Sequence, residues 1–130
     1  MVEPRPTVTS PGQNDLVALD DLLAPYLAGA TAALDRRAPL LAGMVRYHLG
    51  DLDPELQPAP SGTVDRGKRI RPAVAVLAAL AAGGSAEPAA PVAAAIEMLH
   101  NFTLIHDDIQ DEAPTRRHRP TVWHLWDIGQ

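Results

Sequence analysis

The chain has 130 residues, a formal net charge of −5 and no cysteine. The acidic balance argues against a nucleic-acid binder, which needs a basic surface to meet phosphates, and the lack of cysteine excludes disulfides and thiolate metal sites. Hydrophobic residues make up 46% of the sequence but aromatic residues only 4%, so helices built on Ala and Leu are favoured over strands.

The first half of the chain predicts a tail and two helices. Residues 1–14 are rich in proline and have little to bury, which predicts a flexible tail before a helical domain over residues 15–130. Apolar residues at helical spacing predict a helix over 15–37, with a kink or break at Pro25. A second amphipathic stretch covers Pro39–Leu49, and a linker rich in proline and acidic residues follows.

The second half predicts three more helices. One runs from Lys68 to Ala82, and a longer one from Ala89 to Asp111. A basic turn over Thr115–Arg119 follows, and another helix begins at Thr121. The expected fold is therefore all-α.

Two apolar stretches should lack a partner within this chain. Val122–Ile128 and Ala73–Leu80 are predicted to be exposed, so the isolated chain should self-associate. No closing loop follows the first of them, which favours an incomplete domain. No apolar run reaches the roughly 20 residues that a membrane-spanning helix needs, and no signal pattern opens the chain, so the expected location is cytoplasmic.

The helix predicted over residues 92–111 has an apolar and a polar face. The apolar face is expected in the core, and it comprises Ala95, Met98, Leu99, Phe102, Ile105 and Ile109. The polar face comprises Glu97, His100, Asn101, Thr103, Asp107, Asp108 and Asp111.

Three aspartates end this helix. Asp107 and Asp111 lie four residues apart, so their carboxylates share one face, and Asp108 lies beside them. Their mutual repulsion and the helix dipole both oppose this arrangement, and Mg²⁺ would relieve it, since this ion prefers carboxylate and phosphate oxygens. The alternative is a solvated acidic helix end.

Basic residues lie on both sides of the acidic motif in the sequence. Lys68, Arg69 and Arg71 open one helix, and Arg116 and Arg117 follow the aspartates by a short turn. Arginine and lysine at such positions favour phosphate binding, although each could also be a surface cation paired with a nearby acid. Together with the aspartates they indicate a diphosphate held by metal and cations.

With these motifs in this order, the sequence resembles the N-terminal portion of the trans-isoprenyl diphosphate synthases, the polyprenyl synthetase family. The matching segments are Gly67–Pro72, Glu97–His100, Leu104–Asp111, Thr115–Arg117 and Arg119–Val122. The resemblance implies an antiparallel helix bundle of the isoprenoid synthase type, incomplete in this chain, and usually a homodimer. It implies a Mg²⁺-dependent prenyltransferase that condenses an allylic diphosphate with isopentenyl diphosphate, without nucleic acid or a membrane span.

The resemblance also implies roles for the acidic motif. Asp107 and Asp111 would bind Mg²⁺ on the allylic diphosphate, and Asp108 would support them. Arg116 would contact the same diphosphate, so these four residues form the expected catalytic set.

The isopentenyl diphosphate would be bound by the remaining basic residues of the resemblance. Lys68, Arg71, His100 and Arg117 are expected to contact it, and Arg69 belongs to the same substrate-binding segment.

Product length is expected to depend on bulk just before the first aspartate. Phe102 and Thr103 occupy those positions, and the bulky Phe102 favours a short product, farnesyl or geranylgeranyl diphosphate. The alternative for Phe102 is an ordinary core aromatic.

The sequence departs from the family in one respect. Family members carry a second aspartate-rich motif and a further lysine, and neither follows Asp111 here. We therefore expect the chain alone to be inactive, as a truncated synthase or as one part of an enzyme completed by a second chain. The alternative is a non-catalytic helical subunit that pairs with a full-length synthase and modulates it.

Overall fold

The fold is mostly helical, which confirms the predicted class. The computed structural model describes residues 13–60 and 62–128. Its elements are α1 (Gln13–Asp35), α2 (Pro39–Leu49), α3 (Ile70–Ala81), α4 (Ala86–Gln110), β1 (Thr115–Arg116), β2 (Arg119–Pro120) and α5 (Val122–Leu125). The predicted tail lies outside the described residues up to position 12, whereas Gln13 and Asn14 belong to α1. None of the described helices is long and apolar enough to cross a membrane.

The first core cluster joins α1, α3 and α4. Leu19 and Leu23 of α1 pack with Val76 of α3 against Ala93 and Ala94 of α4. The small alanines on α4 allow α1 and α3 to approach closely, and burial of the larger side chains stabilises the contact. Helix α1 continues through Pro25 without a break, in contrast to the division that proline can cause.

The second core cluster lies where the end of the chain folds back onto α2. Tyr47 of α2 packs with Leu52 and Val122, and Trp126 meets the Tyr47 ring edge-on with 5.2 Å between ring centroids. The Tyr47 hydroxyl donates a hydrogen bond to the Pro120 carbonyl at 2.8 Å. This cluster fixes the β-hairpin, which lies between α4 and α5, against α2.

The prediction for the last segment is confirmed for its helix and wrong for its exposure. The helix predicted from Thr121 onward is present as the single turn Val122–Leu125. Val122 is buried and its apolar neighbours are half-buried, although Ile128 is 37% exposed. The reason is the aromatic surface of Tyr47, a partner that the local pattern could not reveal.

The apolar face of α3 is exposed, as predicted. Val74, Leu77 and Leu80 are 58%, 50% and 46% exposed. These side chains have no covering partner among residues 18–60 and 62–128.

The predicted inner face of α4 is wrong near its end. Leu99 and Phe102 are each 64% exposed, whereas the polar side chains of Glu97, Asn101 and Asp108 are buried. The polar face points toward α1, the start of α3 and the hairpin, where arginines neutralise the acids. In its second half helix α4 therefore buries three polar side chains and exposes two large apolar ones, the reverse of the usual pattern.

The segment before α3 is held by short polar contacts. Arg66 pairs with Asp51 at 2.9 Å, and the Gly67 N–H donates to the Asp65 carboxylate at 2.7 Å. Helix α3 begins at Ile70, two residues after the predicted start. These contacts tie the loop before α3 to the end of α2, and the contacts to α4 come from Arg69 and Arg71.

Candidate functional site

The three aspartates at the end of α4 have different environments. Asp108 is 2% exposed, whereas Asp107 and Asp111 are exposed. The Asp111 N–H closes the last turn of the helix on the Asp107 carbonyl at 2.8 Å. Neither exposed carboxylate forms an ion pair within the described part of the chain. Two carboxylates on one helical turn are therefore open to solvent.

The buried aspartate anchors the hairpin. Arg116 Nε donates to both carboxylate oxygens of Asp108 at 2.8 and 3.0 Å, and its Nη2 lies 2.7 Å from Oδ1. Its hydrogen bond to Asp108 raises the pKa of Arg116, although burial acts against this, and the charges of Asp107 and Asp111 act in the same direction as Asp108. The carboxylate of Asp108 is thus neutralised inside the fold, and Arg116 faces all three acids.

The hairpin turns through two residues in the left-handed region. Arg117 and His118 have φ of +50° and +62°, the conformation that a two-residue hairpin loop requires. Arg119 then donates to the carbonyls of Tyr47 at 3.1 Å and Leu52 at 2.8 Å, and its guanidinium lies 4.0 Å from the Tyr47 ring centroid. This anchor fixes the direction of the turn.

A basic groove lies on the other side of the hairpin. It is lined by Arg66, Gly67, Lys68, Arg69, Ile70, Arg71, Glu97, His100 and Arg117. The guanidinium of Arg117 lies against Gly67, where an added Cβ would come within 2.6 Å of Nη2. Only a residue without a side chain permits this approach.

Arg71 and His100 meet at the rim of this groove. Arg71 Nη1 lies 3.0 Å from His100 Nε2. Because a guanidinium only donates, Nε2 accepts and the ring proton belongs on Nδ1. Burial lowers the pKa of His100, and Arg71 acts in the same direction. The ring is neutral near pH 7 and offers Nδ1–H as a donor.

Behind the groove lies a buried polar network. Arg69 is 7% exposed, and its Nε donates to Asp20 of α1 at 3.0 Å. Its Nη1 donates to Glu97 of α4. The Asn101 side chain donates to the Glu97 carboxylate and carbonyl, each at 2.8 Å. Arg69 thus faces the interior, while Lys68 and Arg71 on either side of it are exposed.

The family follows from comparison with known proteins. The polyprenyl synthetase family model matches residues 54–130. The chain belongs to the polyprenyl synthetase family. The (2E,6E)-farnesyl diphosphate synthase of Mycobacterium tuberculosis is 47% identical over 106 residues, which cover 82% of this chain and 28% of that protein.

Two further relatives agree with this family. The geranylgeranyl diphosphate synthase of Mycobacterium tuberculosis is 44% identical over 97 residues, covering 75% of this chain and 27% of that protein. The crystal structure of polyprenyl synthetase from Streptomyces coelicolor A3(2) is 43% identical, with a TM-score of 0.69 over 85% of this chain and 32% of that one. The chain therefore spans less than a third of the length of these relatives.

The structure brings the predicted site residues of this polyprenyl synthetase chain into two groups, one on each side of the hairpin. The acidic group contains Asp107, Asp108, Asp111 and Arg116. The basic groove contains Lys68, Arg71, His100 and Arg117, with Arg69 behind them. Their roles toward substrates stay predictions.

The two predicted chain-length residues lie on the exposed side of α4. Phe102 stacks on His106 with 6.2 Å between ring centroids and is not a core aromatic. The Thr103 hydroxyl donates to the His100 carbonyl at 2.7 Å.

Three residues of the site region have no role that the sequence predicts. Glu97 and Asn101 are predicted only to lie on the polar face of the helix, and no motif includes His48. Burial lowers the pKa of His48 to about 4, Arg117 acts in the same direction, and Asp108 opposes them. For Glu97 and Asn101 the available signal is their spacing of four residues, which places an acid and an amide on one face of the helix.

Proposed function

We propose that this chain is the diphosphate-binding part of a prenyltransferase that joins an allylic diphosphate to isopentenyl diphosphate. The observation that carries the proposal is the division of two consecutive arginines between two sites. Arg116 faces the aspartates, and Arg117 lies in the basic groove. A reaction with two diphosphate substrates needs two such anion sites close together, and the activities named for the relatives agree with it.

The basic groove would take isopentenyl diphosphate. Lys68, Arg71 and Arg117 would supply charge-assisted hydrogen bonds, and His100 would donate from Nδ1. Four donors from three separate elements would fix the diphosphate and so direct its double bond toward the allylic substrate. Orientation of this kind lowers the barrier because the reactants no longer need to find each other.

The acidic group would take the allylic diphosphate through Mg²⁺. Within the described residues no three His, Asp or Glu side chains are arranged to hold a metal by themselves. The two open carboxylates of Asp107 and Asp111 nevertheless fit an ion that uses one or two carboxylates together with substrate phosphates. Bound Mg²⁺ would neutralise the leaving diphosphate as the carbon–oxygen bond breaks.

This chain's own residues would assist at that step. Asp108 holds Arg116 in place, and Arg116 is 33% exposed, so its remaining N–H groups would reach the diphosphate oxygens. The carboxylates of Asp107 and Asp111 would place their negative charges on the same side of the substrate. The product would be short, farnesyl or geranylgeranyl diphosphate, with Phe102 and Thr103 limiting its length.

We propose further that these 130 residues need additional helices for turnover. The structure presents Asp107 and Asp111 as open carboxylates on one turn of α4, and exposed apolar side chains of α3 and α4 are uncovered within the described residues. The helices that cover these apolar faces would come from another part of the same protein, from a complementing chain or through a homodimer. The cytoplasmic location stays a prediction.

The exposed apolar faces also support a second candidate function. A non-catalytic helical subunit that pairs with a full-length synthase and modulates it would use the same surfaces: Val74, Leu77 and Leu80 on α3, and Leu99 with Phe102 on α4. This candidate needs no turnover by its own aspartates.

A chimera separates the two candidates. Residues 15–130 would replace the matching segment of the Streptomyces coelicolor relative, and transfer of labelled isopentenyl diphosphate to an allylic diphosphate would be measured with Mg²⁺. We expect a short prenyl product, and loss of turnover by at least about a hundredfold in the Asp107→Ala chimera, since a metal ligand stabilises the developing charge by several kcal/mol. A folded chimera without activity would favour the modulating subunit.

A further inference from the structure

The backbone of Arg69 is left-handed, unlike that of its neighbours Lys68 and Ile70. Its φ of +47° lies in the left-handed region, which residues with a Cβ rarely occupy, and it immediately precedes α3. Such strain persists only where the surroundings hold it in place, and it concentrates near functional sites. The residues on either side, Lys68 and Ile70, are exposed.

The side chain of Arg69 supplies the restraint. Its guanidinium bonds to Asp20 of α1 and Glu97 of α4, and only 5% of the side chain is exposed. Asn101 fixes the Glu97 carboxylate in turn. Nε and Nη1 of the guanidinium are therefore taken up by acids of α1 and α4 at the base of the groove.

A second contact joins the same two segments one turn further along. Arg71, two residues after Arg69, meets His100, three residues after Glu97. The segment is thus tied to α4 by a buried contact through Arg69 and by an exposed contact through Arg71.

We propose that Arg69 is a positioning residue of the basic groove, and that Asp20 and Glu97 act through it to place Lys68 and Arg71 for a diphosphate. This inference rests on the proposed diphosphate site and assigns Arg69 a role other than direct substrate contact. It gives functions to two carboxylates that lie close to an anion site, where their own charge opposes binding.

The sign of the charge effect provides the test. Asp20→Asn and Glu97→Gln each remove a negative charge near the groove, so electrostatics alone predicts tighter anion binding. If these carboxylates position the cations, both substitutions weaken binding of isopentenyl diphosphate by about tenfold, the loss of one charge-assisted contact. Calorimetric titration of the 130-residue chain measures this directly.

Asp21→Asn is the matched control. It removes the same charge from an exposed position of α1 next to Asp20 and leaves the contacts of Arg69 untouched. We expect unchanged or slightly tighter binding for this variant. Asp20→Glu restores the carboxylate and should recover most of the lost affinity. Circular dichroism checks that all variants are fully folded. A general loss of stability would then not explain the recovery.

Three outcomes would overturn the inference. Binding by Asp20→Asn that equals or exceeds the wild type shows that the carboxylate does not position the groove. Because Asp20 is 39% exposed, this variant serves even if the buried Glu97→Gln variant does not fold. Weakening by Asp21→Asn to the same extent would show that the loss is not specific to the carboxylates that hold Arg69. If Lys68→Ala and Arg71→Ala bind as the wild type does, the diphosphate groove itself is wrong, a failure distinct from that of Arg69.

Discussion

Gly67 determines how closely Arg117 can approach the basic groove. A methyl group at this position would lie 2.6 Å from Nη2 and 2.9 Å from Cζ of Arg117. Because the end of an arginine is flexible, the guanidinium would move aside rather than the backbone. The loss should therefore appear in anion binding more than in stability.

We predict that Gly67→Ala weakens isopentenyl diphosphate binding by about tenfold, the effect of losing one hydrogen bond from a charged group. Calorimetric titration measures it. Gly62→Ala is the matched control, because Gly62 has a similar φ of +77° but nothing within 4 Å of an added Cβ. Both variants should lose about 1 kcal/mol of stability from the backbone conformation, and equal affinities would contradict the role of Gly67.

His48 should make the fold sensitive to acid. Its pKa is lowered from 6.5 to about 4 by burial and by Arg117, so the folded chain keeps the ring neutral where the unfolded chain protonates it. Unfolding then takes up a proton between these two values, and stability falls as the pH drops through this window. Near pH 4, His48 accounts for a loss of about 2 to 3 kcal/mol in the free energy of unfolding.

Urea unfolding from pH 7 to pH 4 tests this prediction. His48→Gln removes the titrating group, so its stability should fall less steeply than that of the wild type over the same range. His124→Gln is the control, since His124 is exposed, and it should follow the wild type. Parallel curves for all three proteins would rule out His48 as the source.

At the scale of elements, the hairpin depends on the planar fork of Arg119. This side chain bonds to the carbonyls of Tyr47 and Leu52 and stacks on the Tyr47 ring. Lysine keeps the charge but cannot reach two carbonyls in one plane. We predict that Arg119→Lys lowers the free energy of unfolding by about 1 to 3 kcal/mol.

Urea midpoints would measure this loss, with Arg66→Lys as the control. Arg66 pairs with Asp51 at the surface, where the exchange should change stability by less than about 0.5 kcal/mol. Because the hairpin also carries Arg116 and Arg117, Arg119→Lys should weaken diphosphate binding as well. Equal stability of the two variants would show that the fork is not the anchor.

Helix α4 shows what a sequence pattern can and cannot reveal about an element. Its existence, its approximate end and the shared face of Asp107 and Asp111 follow from spacing alone. Its inner face does not, because Glu97 is buried only when Arg69, 28 residues away, supplies a counter-charge. Periodicity assumes that apolar side chains point inward, and it fails where a buried ion pair replaces them.

At the scale of the whole molecule, the family and the all-α class were predictable because they depend on motif order and helical spacing. Two apolar segments were predicted to be exposed, and the prediction is confirmed only for the one on α3. Val74, Leu77 and Leu80 are open, whereas Val122 packs on Tyr47, a contact across the fold that no local pattern encodes. The substrate roles of the site residues stay predictions, since they depend on ligands.

The uncovered stripe on α3 should make the isolated chain self-associate. Ile70, Val74 and Leu77 follow each other at helical spacing and are 61%, 58% and 50% exposed. Association would remove this apolar surface from water, which contributes about 25 cal/mol per Å² of buried area.

We predict that Val74→Glu shifts the chain toward monomer in sedimentation velocity without lowering its melting temperature, because the side chain is already exposed. Ala32→Glu on the exposed side of α1 adds the same charge elsewhere and should leave association unchanged. A wild-type chain that is already monomeric at the same concentration would contradict the prediction and leave the stripe without a role in assembly.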